Sequence, residues 1–80
     1  MLENSVFELL EEIRPENDFR SSADFIAEGL LDSFDIVQLV NSLDERFNIS
    51  IDGIDILPEN FNSAGKIIEL LYKNGISNAS

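Results

Sequence analysis

The chain has 80 residues, of which sixteen are Asp or Glu and five are Lys or Arg, so its formal net charge at pH 7 is −11. Such an acidic surface repels nucleic acids and anionic membranes, which excludes DNA and RNA as ligands and favours partners with basic docking surfaces. Apolar residues make up 44% of the chain, enough for one small domain without a large catalytic cavity. We expect a single monomeric domain over residues 1–80, with an ordered core from 5 to 75 and a loose tail at 76–80.

Two reactive residue types, Cys and His, are absent from the chain. Without His, no Ser-His-Asp hydrolase site or His-rich metal site can form, and without Cys there is no disulfide or thiolate chemistry. Ser33 therefore cannot be a conventional hydrolase nucleophile, and we predict no metal centre. The N-terminus lacks the features of a signal peptide, and no apolar stretch is long enough to cross a bilayer. A cytoplasmic protein without membrane insertion is expected.

A first helix is predicted by four apolar residues at helical spacing, Val6, Leu9, Leu10 and Ile13. Ser5 and Glu8 have the spacing of a capping box at its start, and Pro15 ends it. A long connection follows as far as Leu31, with turn residues and several apolar residues, among them Phe19, Phe25, Ile26 and Leu30. Connections of this length in compact domains are usually functional or pinned to the core, and we expect both here.

A second helix is indicated most strongly, because apolar residues recur on one face at Ile36, Leu39 or Val40, Leu43 and Phe47. Asp32 is a good N-cap residue, which places Ser33 at the first helical position and pointing outward. Asp35 falls in the first turn, where the helix dipole favours negative charge. The polar positions are expected to face water, namely Asp35, Gln38, Asp44, Glu45 and Arg46.

In the remaining sequence, we predict a short extended segment at Ile49 and Ile51. A single helical turn from Ile54 to Leu57 is predicted next, and Pro58 is expected to end it. Ser63 is expected to cap a last helix, and Gly75 to end it in the left-handed conformation. Gly65, in the first turn, could permit the close approach of another helix. The predicted fold is therefore all-α, with three main helices, one short helix and almost no strand.

The residues around Ser33 are similar to the signature of the acyl carrier and peptidyl carrier protein family, in which a serine within an Asp-Ser-(Leu, Met or Phe) triplet opens the second helix. The matching stretch is Gly29-Leu30-Leu31-Asp32-Ser33-Phe34-Asp35-Ile36-Val37-Gln38-Leu39. Two later stretches also resemble carriers, Phe47-Asn48-Ile49-Ser50-Ile51 and Pro58-Glu59-Asn60-Phe61-Asn62-Ser63. The resemblance covers residues 5–74 in order and implies a small four-helix bundle of acyl carrier type with a long first loop.

The resemblance implies that a phosphopantetheinyl transferase moves 4′-phosphopantetheine from coenzyme A onto the hydroxyl of Ser33. The thiol of this arm would hold acyl or aminoacyl groups as thioesters for fatty acid, polyketide, peptide or D-alanine transfer pathways. The implied partners are the transferase, a loading ligase and a downstream acyltransferase or synthase. A helix N-terminus suits a phosphodiester, because unpaired N–H groups and the dipole favour an anion there.

The resemblance also assigns roles to other residues. Asp32 matches an aspartate that helps to hold magnesium and coenzyme A in the transferase complex, in addition to capping the helix. Phe34 matches an apolar residue that contacts partners, although simple core packing is an alternative. The other positions on the implied recognition helix are Val37, Gln38, Asn41, Asp44 and Glu45, and for the two acidic residues a merely solvated role is the alternative.

Gln38 and Asn41 differ from what fatty acid synthesis carriers usually have, a glutamate and an apolar residue respectively. This difference puts the fatty acid partners in doubt. The stretch Leu30-Leu31-Asp32-Ser33-Phe34 is closer to stand-alone carriers of D-alanine or of specialised acyl and aminoacyl groups.

Two other interpretations stay open. Residues 48–59 have EF-hand-like spacing, with candidate calcium ligands or loop positions at Asn48, Ser50, Asp52, Gly53 and Glu59. The match is poor, since Asn48 brings no charge to the first position. Alternatively, the chain is an unmodified acidic adaptor that docks through Phe34 and neighbouring apolar residues.

Overall fold

The computed structural model describes residues 2–75, and in this range the chain forms three α-helices and two short 3₁₀-helices without any β-strand. The α-helices are α1 (Leu2–Ile13), α2 (Ser33–Phe47) and α3 (Ala64–Lys73), and the 3₁₀-helices are Gly53–Asp55 and Pro58–Asn60. This confirms the predicted all-α class and the small helical fold of acyl carrier type. The predicted loose tail at 76–80 lies outside the described residues.

The three α-helices enclose one apolar core, in which α1 packs against both α2 and α3. Most of the apolar residues predicted for α1 and α2 are buried, while Ile13 and Phe47 are partly buried. The fully or almost fully buried side chains of the three helices are Val6, Leu9 and Leu10; Ile36, Leu39, Val40 and Leu43; Ala64, Ile67, Leu70 and Leu71. Full burial of one such large apolar side chain contributes about 1.5–3 kcal/mol, so packing rather than helix propensity holds these short helices together. No helix among residues 2–75 is both long enough and apolar enough to cross a membrane.

The long connection between α1 and α2 is pinned to this core, as the sequence predicts. The Phe19 and Phe25 rings are buried and meet edge to face, with their centroids 5.2 Å apart. The backbone N–H of Phe25 donates to the carbonyl oxygen of Asn62 at 2.7 Å, which ties the connection to the segment before α3. Leu31 is buried directly before α2. The entrance of α2 therefore starts from a fixed point on the core.

Three local predictions at the helix ends are confirmed or corrected by the structure. The Ser63 side chain caps α3 by accepting from the Lys66 N–H at 3.2 Å, and Gly75 has a φ of 108°, both as predicted. The capping box of Ser5 and Glu8 is wrong, because α1 begins three residues earlier, at Leu2.

Two predictions about the segments on either side of Ser63 are also wrong. Pro58 does not end a helical turn but begins the second 3₁₀-helix. At the first position of a helix the fixed φ of proline is suitable, and its missing N–H would have no partner within the helix. Gly65 is exposed, and an added Cβ would have only the Ser63 Oγ as a neighbour, 3.9 Å away. No close helix contact therefore depends on Gly65.

Candidate functional site

The entrance of α2 is closed by a reciprocal capping box. Asp32 has extended backbone angles, and its Oδ1 accepts from the Asp35 N–H at 2.9 Å. The Asp35 Oδ2 in turn accepts from the Asp32 N–H at 3.2 Å. Two backbone donors that a helix start leaves without partners are thereby satisfied. The predicted N-cap role of Asp32 is confirmed, and the two carboxylates flank Ser33 in the sequence.

Ser33 lies at the first position of α2 and is exposed to solvent. At this position its backbone is already helical, and the first turn presents N–H groups and the positive end of the helix dipole. An anion linked to the Ser33 oxygen would therefore meet a favourable potential. The exposed hydroxyl is also open to an enzyme that approaches along the α2 entrance.

Asp35 is buried, which contradicts the prediction that it faces water. Only 3% of Asp35 is exposed, and both of its carboxylate oxygens accept from the Nε of Arg14 at 3.0 Å. The guanidinium also lies near two exposed carboxylates, with one terminal nitrogen 3.7 Å from Asp32 Oδ2 and the other 3.5 Å from Glu16 Oε2. Sequence reasoning missed Arg14, although an arginine just after α1 and an acid in the first turn of α2 were a usable signal.

These contacts also affect ionisation. The hydrogen bond from the Asp35 backbone N–H is the main cause that lowers the pKa of Asp32, and the positive charge of Arg14 adds to it. The hydrogen bonds to the Asp35 side chain, followed by its negative charge, raise the pKa of Arg14. At neutral pH the α2 entrance thus carries an ionised Asp32 and a permanent cation next to it.

An exposed stripe runs down α2 from Ser33. Each member lies three or four residues from another member, and all of them are exposed, namely Phe34, Val37, Gln38, Asn41 and Glu45. Phe34 is 67% exposed and Val37 54% exposed, so the core-packing alternative for Phe34 is excluded. Exposure of an apolar side chain to water does not stabilise the fold. Neighbouring exposed apolar side chains are typical of a surface that contacts partners.

Asp44 differs from the other residues of the predicted recognition helix. It is half-buried, and its Oδ1 accepts from the Ile51 N–H at 3.0 Å. Its backbone oxygen accepts from Ile49 and Asn48, the latter in the left-handed conformation with a φ of 54°. Asp44 therefore stabilises the turn after α2.

Sequence reasoning did not find a second exposed apolar pair, Ile54 and Leu57, which are 76% and 44% exposed. They belong to the segment of the 3₁₀-helices before α3. The short apolar run of this segment predicted a single helical turn from Ile54 to Leu57, and only the three-dimensional structure shows which of its members face solvent.

The EF-hand-like segment is not arranged as a calcium loop. The Asp52 Oδ1 accepts from the Ile54 N–H at 3.2 Å and so caps the first 3₁₀-helix, while Asn48 ends α2. No group of three or more acidic side chains within residues 2–75 is placed to hold a metal ion. These positions have local structural roles.

Residues 5–71 of the chain match the model of a protein family described as "Phosphopantetheine attachment site". The chain belongs to this family of phosphopantetheine-binding carrier proteins. Its cofactor is a covalently attached 4′-phosphopantetheine, as the resemblance around Ser33 implies. The match includes α2, most of α1 and α3, and the segments between these helices.

Among curated proteins, this carrier is similar to two D-alanyl carrier proteins of Lactococcus lactis. The protein of subsp. cremoris strain MG1363 is 31% identical over 68 residues, which cover 82% of this chain and 86% of the relative. The protein of subsp. lactis strain IL1403 is 29% identical over 68 residues with the same coverage. No solved structure gives a significant match to the carrier.

The α2 entrance of the carrier fits its cofactor. A phosphodiester needs a hydroxyl that solvent and a partner enzyme can reach, and Ser33 is exposed. It also needs compensation of its charge, which the helix N-terminus and the nearby Arg14 guanidinium can supply. When bound, the arm would supply the thiol that a chain without Cys lacks.

Proposed function

We propose that Ser33 is the residue to which 4′-phosphopantetheine is attached, and that the chain carries acyl or aminoacyl groups as thioesters between partner enzymes. The observation that carries the proposal is the exposed Ser33 at the first position of α2, inside the matched family region. The carrier itself would catalyse no reaction. A long flexible arm on a small domain raises the effective concentration of its cargo at each partner's active site.

Asp32 and the exposed stripe on α2 would serve the modifying transferase. Asp32 is ionised at neutral pH and its side chain is 64% exposed, which suits a contribution to magnesium binding in the complex with coenzyme A. Phe34 and Val37 would provide apolar contacts beside the attachment residue, supported by their exposure. The polar part of the docking surface would consist of Gln38, Asn41, Glu45 and the outer edge of Asp44.

The proposed partners are a phosphopantetheinyl transferase, a loading ligase and a downstream acyltransferase or synthase. The resemblance to D-alanyl carrier proteins makes D-alanine and related small aminoacyl groups the first cargo to test. We further propose a monomeric single domain over residues 1–80 that works in the cytoplasm.

The test is the intact mass of the protein before and after incubation with coenzyme A, Mg²⁺ and a broad-specificity phosphopantetheinyl transferase. The unmodified protein and Ser50→Ala should each gain one phosphopantetheine, whereas Ser33→Ala should gain none and remain folded. Ser50 is a matched control because it is also an exposed serine, in the turn after α2. No gain by the unmodified protein with several active transferases would contradict the proposal and favour the adaptor interpretation.

A further inference from the structure

We infer that Arg14 is a positioning residue for the attachment of the arm, because it holds the buried carboxylate of Asp35 and lies beside that of Asp32, the two carboxylates that flank Ser33 in the sequence. This inference rests on the proposed function of Ser33. Arg14 is not part of the signature around Ser33. It lies directly after α1, which ends at Ile13, and reaches the α2 entrance from a neighbouring element.

The contacts form a closed set around the start of α2. The Arg14 Nε donates to both oxygens of Asp35 at 3.0 Å, and one of these oxygens also accepts from the Asp32 N–H at 3.2 Å. The Asp35 N–H donates to Asp32 Oδ1 at 2.9 Å, while Asp32 Oδ2 lies 3.7 Å from a terminal nitrogen of Arg14. The guanidinium therefore orients Asp35 directly, and through the capping box Asp35 holds the backbone of Asp32.

Burial makes Asp35 dependent on this cation. Asp35 is 3% exposed, and a carboxylate so far from water must be paired or rotate outward. If Asp35 rotated outward, its side chain would release the Asp32 N–H. The backbone between Asp32 and Asp35, which includes Ser33, would then lose one of its two fixed hydrogen bonds.

The positive charge of Arg14 also lowers the electrostatic repulsion between the α2 entrance and coenzyme A. Asp32, Asp35 and Glu16 all lie within 4 Å of the guanidinium, and each would repel the phosphates of an approaching coenzyme A. A cation held among them reduces this repulsion, most strongly where solvent is excluded. Arg suits the role better than Lys, because its fork can reach several carboxylates in fixed directions.

The chemistry of attachment depends on where the hydroxyl lies. The Ser33 oxygen forms a bond to the phosphorus of the phosphopantetheinyl group, the bond from that phosphorus to the nucleotide half of coenzyme A breaks, and adenosine 3′,5′-bisphosphate leaves. The hydroxyl proton passes to a base of the transferase or to solvent. A misplacement of about 1 Å in such a reaction can cost on the order of 100-fold in rate. Loss of Arg14 should therefore lower the turnover number more than it weakens carrier binding.

The experiment measures kcat and KM of a phosphopantetheinyl transferase with coenzyme A, Mg²⁺ and Arg14→Met, Arg14→Lys or Arg20→Met as the carrier. Arg20→Met is a matched control, since it removes the same charge and breaks another ion pair, that of Arg20 Nε with Glu11 Oε2 at 3.1 Å, which does not include Asp32 or Asp35. For each variant, the reaction is also run to completion, and the intact mass gives the fraction of molecules that can be modified. This fraction separates a slow reaction from a loss of folded protein.

Arg14→Met is expected to lower kcat by about tenfold with a smaller change in KM, as is usual when a residue that orients a reacting group is lost. Arg20→Met should keep both constants. Arg14→Lys, which keeps the charge and so the fold, should give an intermediate kcat. Equal kcat for Arg14→Met and Arg20→Met, or a kcat for Arg14→Lys equal to that of the unmodified protein, would overturn the inference. Failure of the unmodified protein to be modified would instead overturn the proposed function.

Discussion

The Nε of Arg14 lies 3.0 Å from both carboxylate oxygens of Asp35, although the two residues are 21 positions apart in the sequence. This ion pair joins the end of α1 to the first turn of α2. Since the same carboxylate caps the backbone of Asp32, the position of the candidate attachment site is fixed by the packing of α1 on α2 as well as by the local sequence.

Asp35→Asn should destabilise the fold, because it removes the charge from a buried pair while keeping the shape of the side chain. We expect a loss of about 1.5–3 kcal/mol in the free energy of unfolding, the range for a hydrogen bond to a charged group. Urea unfolding followed by circular dichroism measures it. Glu45→Gln is the control, since Glu45 is exposed on the same helix and its charge change is equal. Equal stability of the two variants would show that the Arg14 pair contributes nothing.

The two lysines of α3 should differ in their effect on stability. The Lys73 Nζ lies 2.7 Å from the Oδ1 of Asp55, a carboxylate that is mostly buried beneath an exposed lysine. Lys73→Met should cost about 0.5–1 kcal/mol, because solvent screens this partly exposed pair. Lys66→Met is the matched control, with the same charge change on the same helix. Melting temperatures that fall equally would contradict this assignment.

Phe34→Ala should separate surface recognition from stability. Phe34 is 67% exposed, so its replacement should change the free energy of unfolding by less than about 0.5 kcal/mol. The KM of the transferase for the carrier should rise, because an apolar contact beside Ser33 is lost. Ile54→Ala provides the comparison, since Ile54 is even more exposed but lies on another segment. A KM that rises only with Ile54→Ala would move the docking surface away from α2.

The charge of Asp32 should stabilise the fold in a pH-dependent way. Its pKa is lower in the folded protein than in the unfolded chain, so the folded state favours the ionised form. This stabilisation is fully present above the usual range of an aspartate, about pH 4, and is lost as the pH falls through the lowered pKa. The variant Asp32→Asn lacks this charge-dependent stabilisation at every pH.

The measurement for Asp32 is the difference in free energy of unfolding between the unmodified protein and Asp32→Asn, determined in urea at a series of pH values. The difference should be constant near neutral pH and shrink below about pH 4. Other carboxylates titrate in both proteins, so their effect cancels in the difference to a first approximation. A difference that grows on acidification would contradict the sign of the shift.

Local rules were sufficient to place Ser33 at the start of α2. An aspartate followed by an apolar-periodic segment predicts an N-cap, and this alone places Ser33 at the first helical position, where the structure has it. The apolar residues of the long connection predicted that it would be pinned, and Phe19 and Phe25 are indeed buried. Such features depend on neighbours in the sequence or on simple burial.

The predictions that were wrong depend on tertiary contacts or on competition between local signals. Helical periodicity predicted that Asp35 faces water, and only the packing of α1 on α2 brings Arg14 to it. Ser5 has the spacing of a cap, but apolar packing extends α1 to Leu2 and leaves Ser5 within the helix. Pro58 is compatible with ending one helical turn or starting another, and the sequence alone does not distinguish them.

The most direct test of the account is to locate the phosphopantetheine by fragmentation mass spectrometry after modification of the protein with coenzyme A and Mg²⁺. The account predicts that the added mass lies on Ser33 and on no other residue of the chain. Attachment at another serine, or no attachment under conditions that modify an established carrier, would contradict it.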